Sequence, residues 1–334
     1  MKFFPAAPVA GAPATGTIVL TFAAPLPDDR FTLTIDDDVV DIAGNNLDGE
    51  SNATQPNGAP TFPSGDKQPG GDFVARFTVD TDAEIGVWAG GRVWADINDN
   101  FSWDPDNLDF TNRDIVYSIG FTSDDIFAGN FWAPGIPVAA GGVPGVADGF
   151  DKLAAYGRDE TGAFRFLVDV SNDGVPDVEI FPVGGMQNGL PAAGNFDGNA
   201  ANGDELAVFT GGNWSLYQGP GGAVPGALIA NIPFTVGGTA LQGYPIVGDF
   251  DGDGADDLGS FRDDVFQFDT TAIGGLGAPD TFFRFGYIGP TERPIAADFN
   301  GDGIDDIGLW LPNSSGQDPR ERGEWNILVS DGVF

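Results

Sequence analysis

The sequence predicts an all-β protein: a β-propeller of about five four-stranded blades, with incomplete end blades, behind an N-terminal β-sandwich portion. Three observations carry this. Turn formers are abundant, with 51 Gly and 25 Pro among short apolar runs, which disfavours helices and favours hairpins. Within those runs large apolar residues alternate with small or polar ones, the two-residue period of a half-buried strand. One junction pattern also recurs at intervals close to the length of a propeller blade.

The chain has 334 residues, enough for roughly two domains. Residues 1–82 differ from the rest. TIVLTFAAPL, DRFTLTI and DFVARFTVD read as alternating strands joined by turn-rich segments, too few for a full sandwich. The opening MKFFPAAPVAGAPATG is broken by Pro and Gly before any apolar core forms, so no signal peptide is visible. No stretch approaches the roughly 18 apolar residues of a membrane span.

Residues 83–334 hold the repeat. EIGVW, RVWAD and DIVYSIG read as strands two to four of a partial first blade. Four junctions then follow: 116–131, 180–196, 233–250 and 283–299. Each is a short β-like run, a polar turn and a small-apolar run ending in Asn/Asp-Phe. Asn195, Asp249 and Asp298 are spaced by 54 and 49 residues. The interval from Asn130 is 65, lengthened by a Pro/Gly-rich insertion at 132–149. Second strands (LAAYGR, LAVFTG, LGSFRD, IGLWLP) and third strands (AFRFLVD, NWSLYQ, VFQFDT, EWNILVS) follow each junction. Trp88, Trp94, Trp214, Trp310 and Trp325 fall on strands and read as blade core.

The formal net charge is −36, and only eight of the 50 acidic residues are Glu. Asp favours turns and hard-cation loops, whereas helical surfaces favour Glu. Such a field disfavours nucleic acid and anionic membrane as partners. The chain has no Cys and no His, which removes thiolate zinc sites, thiol nucleophiles and His-based triads from consideration.

The junction loops carry the candidate chemistry. In DFDGDGADD, Asp249, Asp251, Asp253 and Asp257 occupy positions 1, 3, 5 and 9, and Ala255 offers a carbonyl at position 7. DFNGDGIDD repeats this with Asp298, Asn300, Asp302, Ile304 and Asp306. Four like charges so close repel unless a cation lies among them. Calcium, which takes six to eight oxygens, suits that spacing better than magnesium. Asn195, Asp197, Asn199 and Glu205 form a weaker version with a two-residue insertion. At the preceding junction Lys152 falls where Asp257 sits, so an ammonium replaces the ion there. Two outer hairpins share the spacing: Asp96, Asn98, Asn100, Ser102 and Asp104, and Asp169, Ser171, Asp173, Val175 and Asp177.

The units at 246–261 and 295–310 resemble FG-GAP/VCBS repeats, the calcium-bound propeller blades of integrin alpha chains and of many large bacterial surface proteins. The resemblance covers about 84–334, and 17–80 is similar to the second half of bacterial Ig-like domains. It implies calcium on the two complete loops and an extracellular or cell-surface setting. The functional expectation is a non-catalytic structural or adhesion module. Its partners would be other protein chains, including self-assembly through incomplete end blades. The alternative is a lectin-like propeller binding cell-surface polysaccharide, with Trp132, Arg320 and Arg322 as the candidate surface. A carbohydrate-active enzyme is the weaker third reading, because every conspicuous Asp already belongs to a loop.

Overall fold

The computed structural model describes residues 2–5, 16–19, 29–39, 46, 49, 71–79, 85–96, 114–132, 147, 151–170, 174–271, 277–286, 291–312 and 323–330. Among them the structure is all strand and turn. The chain divides into two compact units, Met1–Thr81 and Asp82–Phe334.

In the first unit β1 (Lys2–Pro5) pairs antiparallel with β2 (Gly16–Val19), and β3 (Asp29–Ile35) with β4 (Phe73–Val79). The β3–β4 register sets Phe31 opposite Phe77 and Leu33 opposite Ala75.

The second unit opens with a three-stranded sheet of β5 (Ile85–Ala89), β6 (Arg92–Asp96) and β7 (Ile115–Tyr117). Blade A follows, with β8 (Asp125–Gly129), β9 (Lys152–Arg158), β10 (Phe164–Val168) and β11 (Val178–Ile180). Blade B has β12 (Leu190–Gly194), β13 (Glu205–Thr210), β14 (Asn213–Tyr217) and β15 (Leu228–Pro233). A small hairpin, β16 (Thr235–Val236) with β17 (Thr239–Ala240), leads to blade C. Blade C has β18 (Tyr244–Gly248), β19 (Asp257–Arg262), β20 (Val265–Asp269) and β21 (Thr281–Arg284). Blade D has β22 (Arg293–Ala297), β23 (Asp306–Leu311) and β24 (Glu324–Leu328). Every blade is an antiparallel meander in chain order.

The first strands of blades A to D lie side by side, β8 against β12, β12 against β18 and β18 against β22. This is a propeller-like arrangement of four blades, against about five expected. The sheet β5–β7 takes the place expected for the first blade. Among the described residues it has no inner strand of its own to join that row. It packs instead through Val93, which shares a small core with Ile119 and Ala155.

The cores lie between neighbouring blades. Phe131, Tyr156, Phe166 and Val168 of blade A meet Leu206, Val208 and Tyr217 of blade B. Phe196, Phe209, Trp214 and Leu216 meet Leu258 of blade C. Phe250, Phe261, Phe266 and Phe268 meet Ile307 and Leu309 of blade D. The Phe of the first three Asx-Phe pairs (Phe131, Phe196, Phe250) is thus a plug between sheets, fully or nearly fully buried, whereas Phe299 of the fourth is half-buried. Of the tryptophans expected in the core, Trp214 is buried and Trp310 packs against Trp325 in a tilted pair with centroids 4.6 Å apart. Trp88 departs from the expectation at 42% exposure, on the first strand of a sheet that has no inner neighbour among the described residues.

Candidate metal centre

Each junction loop joins the innermost strand of a blade to the second. Register places its ninth position opposite the last residue of the inner strand: Asp257 opposite Gly248, and Asp306 opposite Ala297. The loops are curled by backbone bonds to the first Asp. In blade C, Gly252 N–H and Asp253 N–H donate to Asp249 Oδ1 (2.7 and 3.2 Å), and Gly254 N–H donates to Oδ2 (2.9 Å). Asp253 N–H also donates to Asp251 Oδ1, and Ala255 N–H to Asp253 Oδ1. Gly252 and Gly254 have φ of 76° and 88°, a left-handed backbone that glycine adopts without Cβ strain.

Blade D reproduces this bond for bond. Gly301 and Asp302 N–H donate to Asp298 Oδ1 (2.7 and 3.1 Å), and Gly303 N–H to Oδ2 (2.8 Å). Asp302 N–H donates to Asn300 Oδ1 and Ile304 N–H to Asp302 Oδ1. In both loops the position-nine acid folds back: Phe250 N–H donates to Asp257 Oδ2, and Phe299 N–H to Asp306 Oδ2, each at 3.1 Å.

The blade C loop gathers charge. Carboxylate oxygens of Asp249, Asp251 and Asp257 lie within 4.8 Å of one another. Two oxygens bound to one calcium are at most about 4.8 Å apart, twice a bond of about 2.4 Å, so the spacing is within the range that a shared ion requires. Burial, reinforced by Asp251, Asp249 and Asp253, pushes the Asp257 carboxyl up to about 8 against the pull of Phe250 N–H. Burial also raises Asp306. A hard cation would relieve this repulsion, and an oxygen-only donor set is the kind calcium takes. Asn300 lowers the charge in blade D and bonds to Asp302 Oδ2 (3.2 Å) and to the Ser330 carbonyl (3.1 Å).

The weaker loops behave differently. In blade B, Asp197 and Glu205 come together around Asn202, whose Nδ2 donates to Asp197 Oδ2 (3.2 Å) and Glu205 Oε1 (3.3 Å). Asn199 Oδ1 accepts from Ala201 N–H, while Asn195 turns to the next blade and bonds the Gly254 carbonyl. Lys152 is buried opposite Gly129, the register position of Asp257. Of the outer hairpins, Asn98, Asn100, Ser102, Asp104, Ser171 and Asp173 lie outside the described residues. Asp96 ends β6. Asp169 Oδ2 accepts from Gly174 N–H (2.7 Å), Asp177 N–H caps Val168, and Val175 is exposed.

Sequence reasoning missed the clasp between blades. In blades A, B and C the loop's first residue exchanges two bonds with an Asp of the following blade. Asn130 N–H donates to Asp204 Oδ2 (2.7 Å), and Asp204 N–H returns to the Asn130 carbonyl (3.1 Å). Asn195 pairs likewise with Asp256 (2.6 and 3.1 Å), and Asp249 with Asp305 (2.9 and 2.8 Å). Burial raises Asp204 and Asp305 to about 7 and Asp256 to about 6. The signal was present: an acid precedes every position-nine residue, and Gly129, Gly194 and Gly248 end the inner strands that face them. A Cβ on Gly248 would stand 2.5 Å from Asp305 Oδ2, and one on Gly194 2.8 Å from Asp256 Oδ2. A second acidic group also went unread. Asp36, Asp37 and Asp38 bring carboxylate oxygens within 4.8 Å in the first unit, where Asp37 N–H is held by Asp72.

No family model and no curated protein matches this chain. Among solved structures it is similar to an Agrocybe aegerita lectin described as specifically recognising non-reducing terminal N-acetylglucosamine. Identity is 12% and the TM-score 0.37, over 96% of this chain and 86% of that one.

Proposed function

We propose that the chain is a non-catalytic structural or adhesion module of an extracellular or cell-surface protein, stiffened by calcium in its junction loops. The observation that carries this reading is the blade C loop, where three carboxylates lie within 4.8 Å of one another. The identical backbone cradle in blade D supports it. Asp249 Oδ1 and Oδ2 hold the loop, while its N–H and carbonyl clasp Asp305 of the next blade. An ion on this residue therefore stiffens the joint between blades as well as the loop. Asp249, Asp251, Asp253 and Asp257, with the Ala255 carbonyl, would hold one ion. Asp298, Asn300, Asp302 and Asp306, with the Ile304 carbonyl, would hold the other.

An extracellular setting supplies calcium at the level such a module needs, and the strongly acidic surface fits it. Binding only to the folded state stabilises it by about 2.7 kcal/mol at a hundredfold excess over Kd. Thermal unfolding in excess calcium and in a chelator tests this. A rise in Tm with calcium is expected, and equal curves overturn it. Binding to cell-surface polysaccharide is the weaker alternative, since Trp132 is half-buried against Gly221 rather than presented to solvent.

A further inference from the structure

The four junction loops are equivalent by register, yet they are filled differently. Position nine is Lys152 in blade A, Glu205 in blade B, Asp257 in blade C and Asp306 in blade D, each opposite the end of its inner strand. In blade A that position carries an ammonium, which attracts neighbouring Asp151. In blade B the insertion in NFDGNAANGDE lets Asn202 reach back between Asp197 and Glu205. Its amide hydrogens take the place that a cation takes between two carboxylates. Blades C and D have no inserted residues, and their loops carry four and three carboxylates at the candidate ligand positions against two in blade B.

We propose that Asn202 closes the blade B loop in place of an ion, so that blades A and B hold their junctions with their own side chains while blades C and D depend on calcium. This rests on the proposed calcium reading, and it departs from the expectation that Asn195, Asp197, Asn199 and Glu205 ligate a metal. The closure is partial, because Glu205 Oε2 and Asn202 Oδ1 stay buried without a hydrogen-bond partner. A carboxylate in place of the amide at position 202 should therefore turn the loop into an ion site. The stability of the propeller is then divided along the chain, with the calcium-sensitive joints at the C-terminal side.

The test counts calcium ions per chain by native mass spectrometry in the parent and three variants. The double variant Asp197→Asn, Glu205→Gln should keep the parent's count, Asp257→Asn should lose one ion, and Asn202→Asp should gain one. Loss of an ion from the double variant, or no gain in Asn202→Asp, overturns the inference and leaves the calcium reading standing. A parent without calcium overturns both. Hydrogen exchange on the unmodified protein needs no variant to fold. Chelation should speed exchange in β18–β24 and spare β8–β15, and equal acceleration in both halves contradicts the proposal.

Discussion

The close approach at Gly248 gives the sharpest energetic test. Its φ is not in the left-handed region, so Gly248→Ala adds no backbone strain and even gains some strand propensity, about 0.5–1 kcal/mol. The added Cβ, however, meets Asp305 Oδ2 at 2.5 Å and Asp305 Cβ at 3.0 Å. Asp305 cannot retreat without losing the 2.9 Å bond from Asp249 N–H. A hydrogen bond to a charged group contributes about 1.5–3 kcal/mol, and overpacking costs about 1–3 kcal/mol. The net destabilisation should be about 2 kcal/mol, a fall in Tm of roughly 4–8 °C for a unit of this size. The assay is thermal unfolding in saturating calcium, so that loop occupancy is held constant. Ala297 ends the equivalent strand of blade D, and Ala297→Gly is the control, with a small change only. If Gly248→Ala is as stable as the parent, the clasp does not constrain that position and the reasoning fails.

Other consequences follow from the same contacts. In chelator, stability should fall as pH rises from about 4 to about 8. Asp257, Asp204, Asp305 and Asp256 have raised carboxyls, so their protons are held more tightly folded than unfolded across that window. The calcium-induced rise in Tm should grow over the same range, and a flat apo profile would contradict this. Arg165 and Asp124 form a buried ion pair at 3.0 Å. Arg165→Met alone should cost about 3–5 kcal/mol, whereas the double variant with Asp124→Leu should recover most of it; a chemical denaturation cycle measures both. Phe166→Ala should cost about 3–5 kcal/mol, since Phe166 is fully buried and packs against both Tyr156 and Tyr217. A loss under 1 kcal/mol by the same assay would mean that the sheets do not pack through this ring.

Much of the propeller was legible because its period is written in local signals. The Asx-Phe junction marks the end of each inner strand, and two-residue alternation marks the strands that follow. The curl of the two complete loops was legible for the same reason, since the positions proposed as ligands lie within nine residues. What escaped notice acts over distance. The clasps join residues 74, 61 and 56 positions apart. Their Asp looked like a spare member of a pair, because nothing local indicates that its side chain faces the previous blade. Asn202 escaped because an inserted amide has no place in the ligand spacing. Trp88 was assigned to the core from its strand alone, yet burial there depends on a neighbouring sheet, which is a property of topology.

Anomalous diffraction from crystals grown in calcium tests the central claim most directly. The account predicts a peak about 2.3–2.6 Å from carboxylate oxygens of Asp249, Asp251 and Asp257, and a second in the Asp298–Asp306 loop. Clear density for both loops, with carboxylates bonded only to backbone N–H groups and no peak between them, would contradict it.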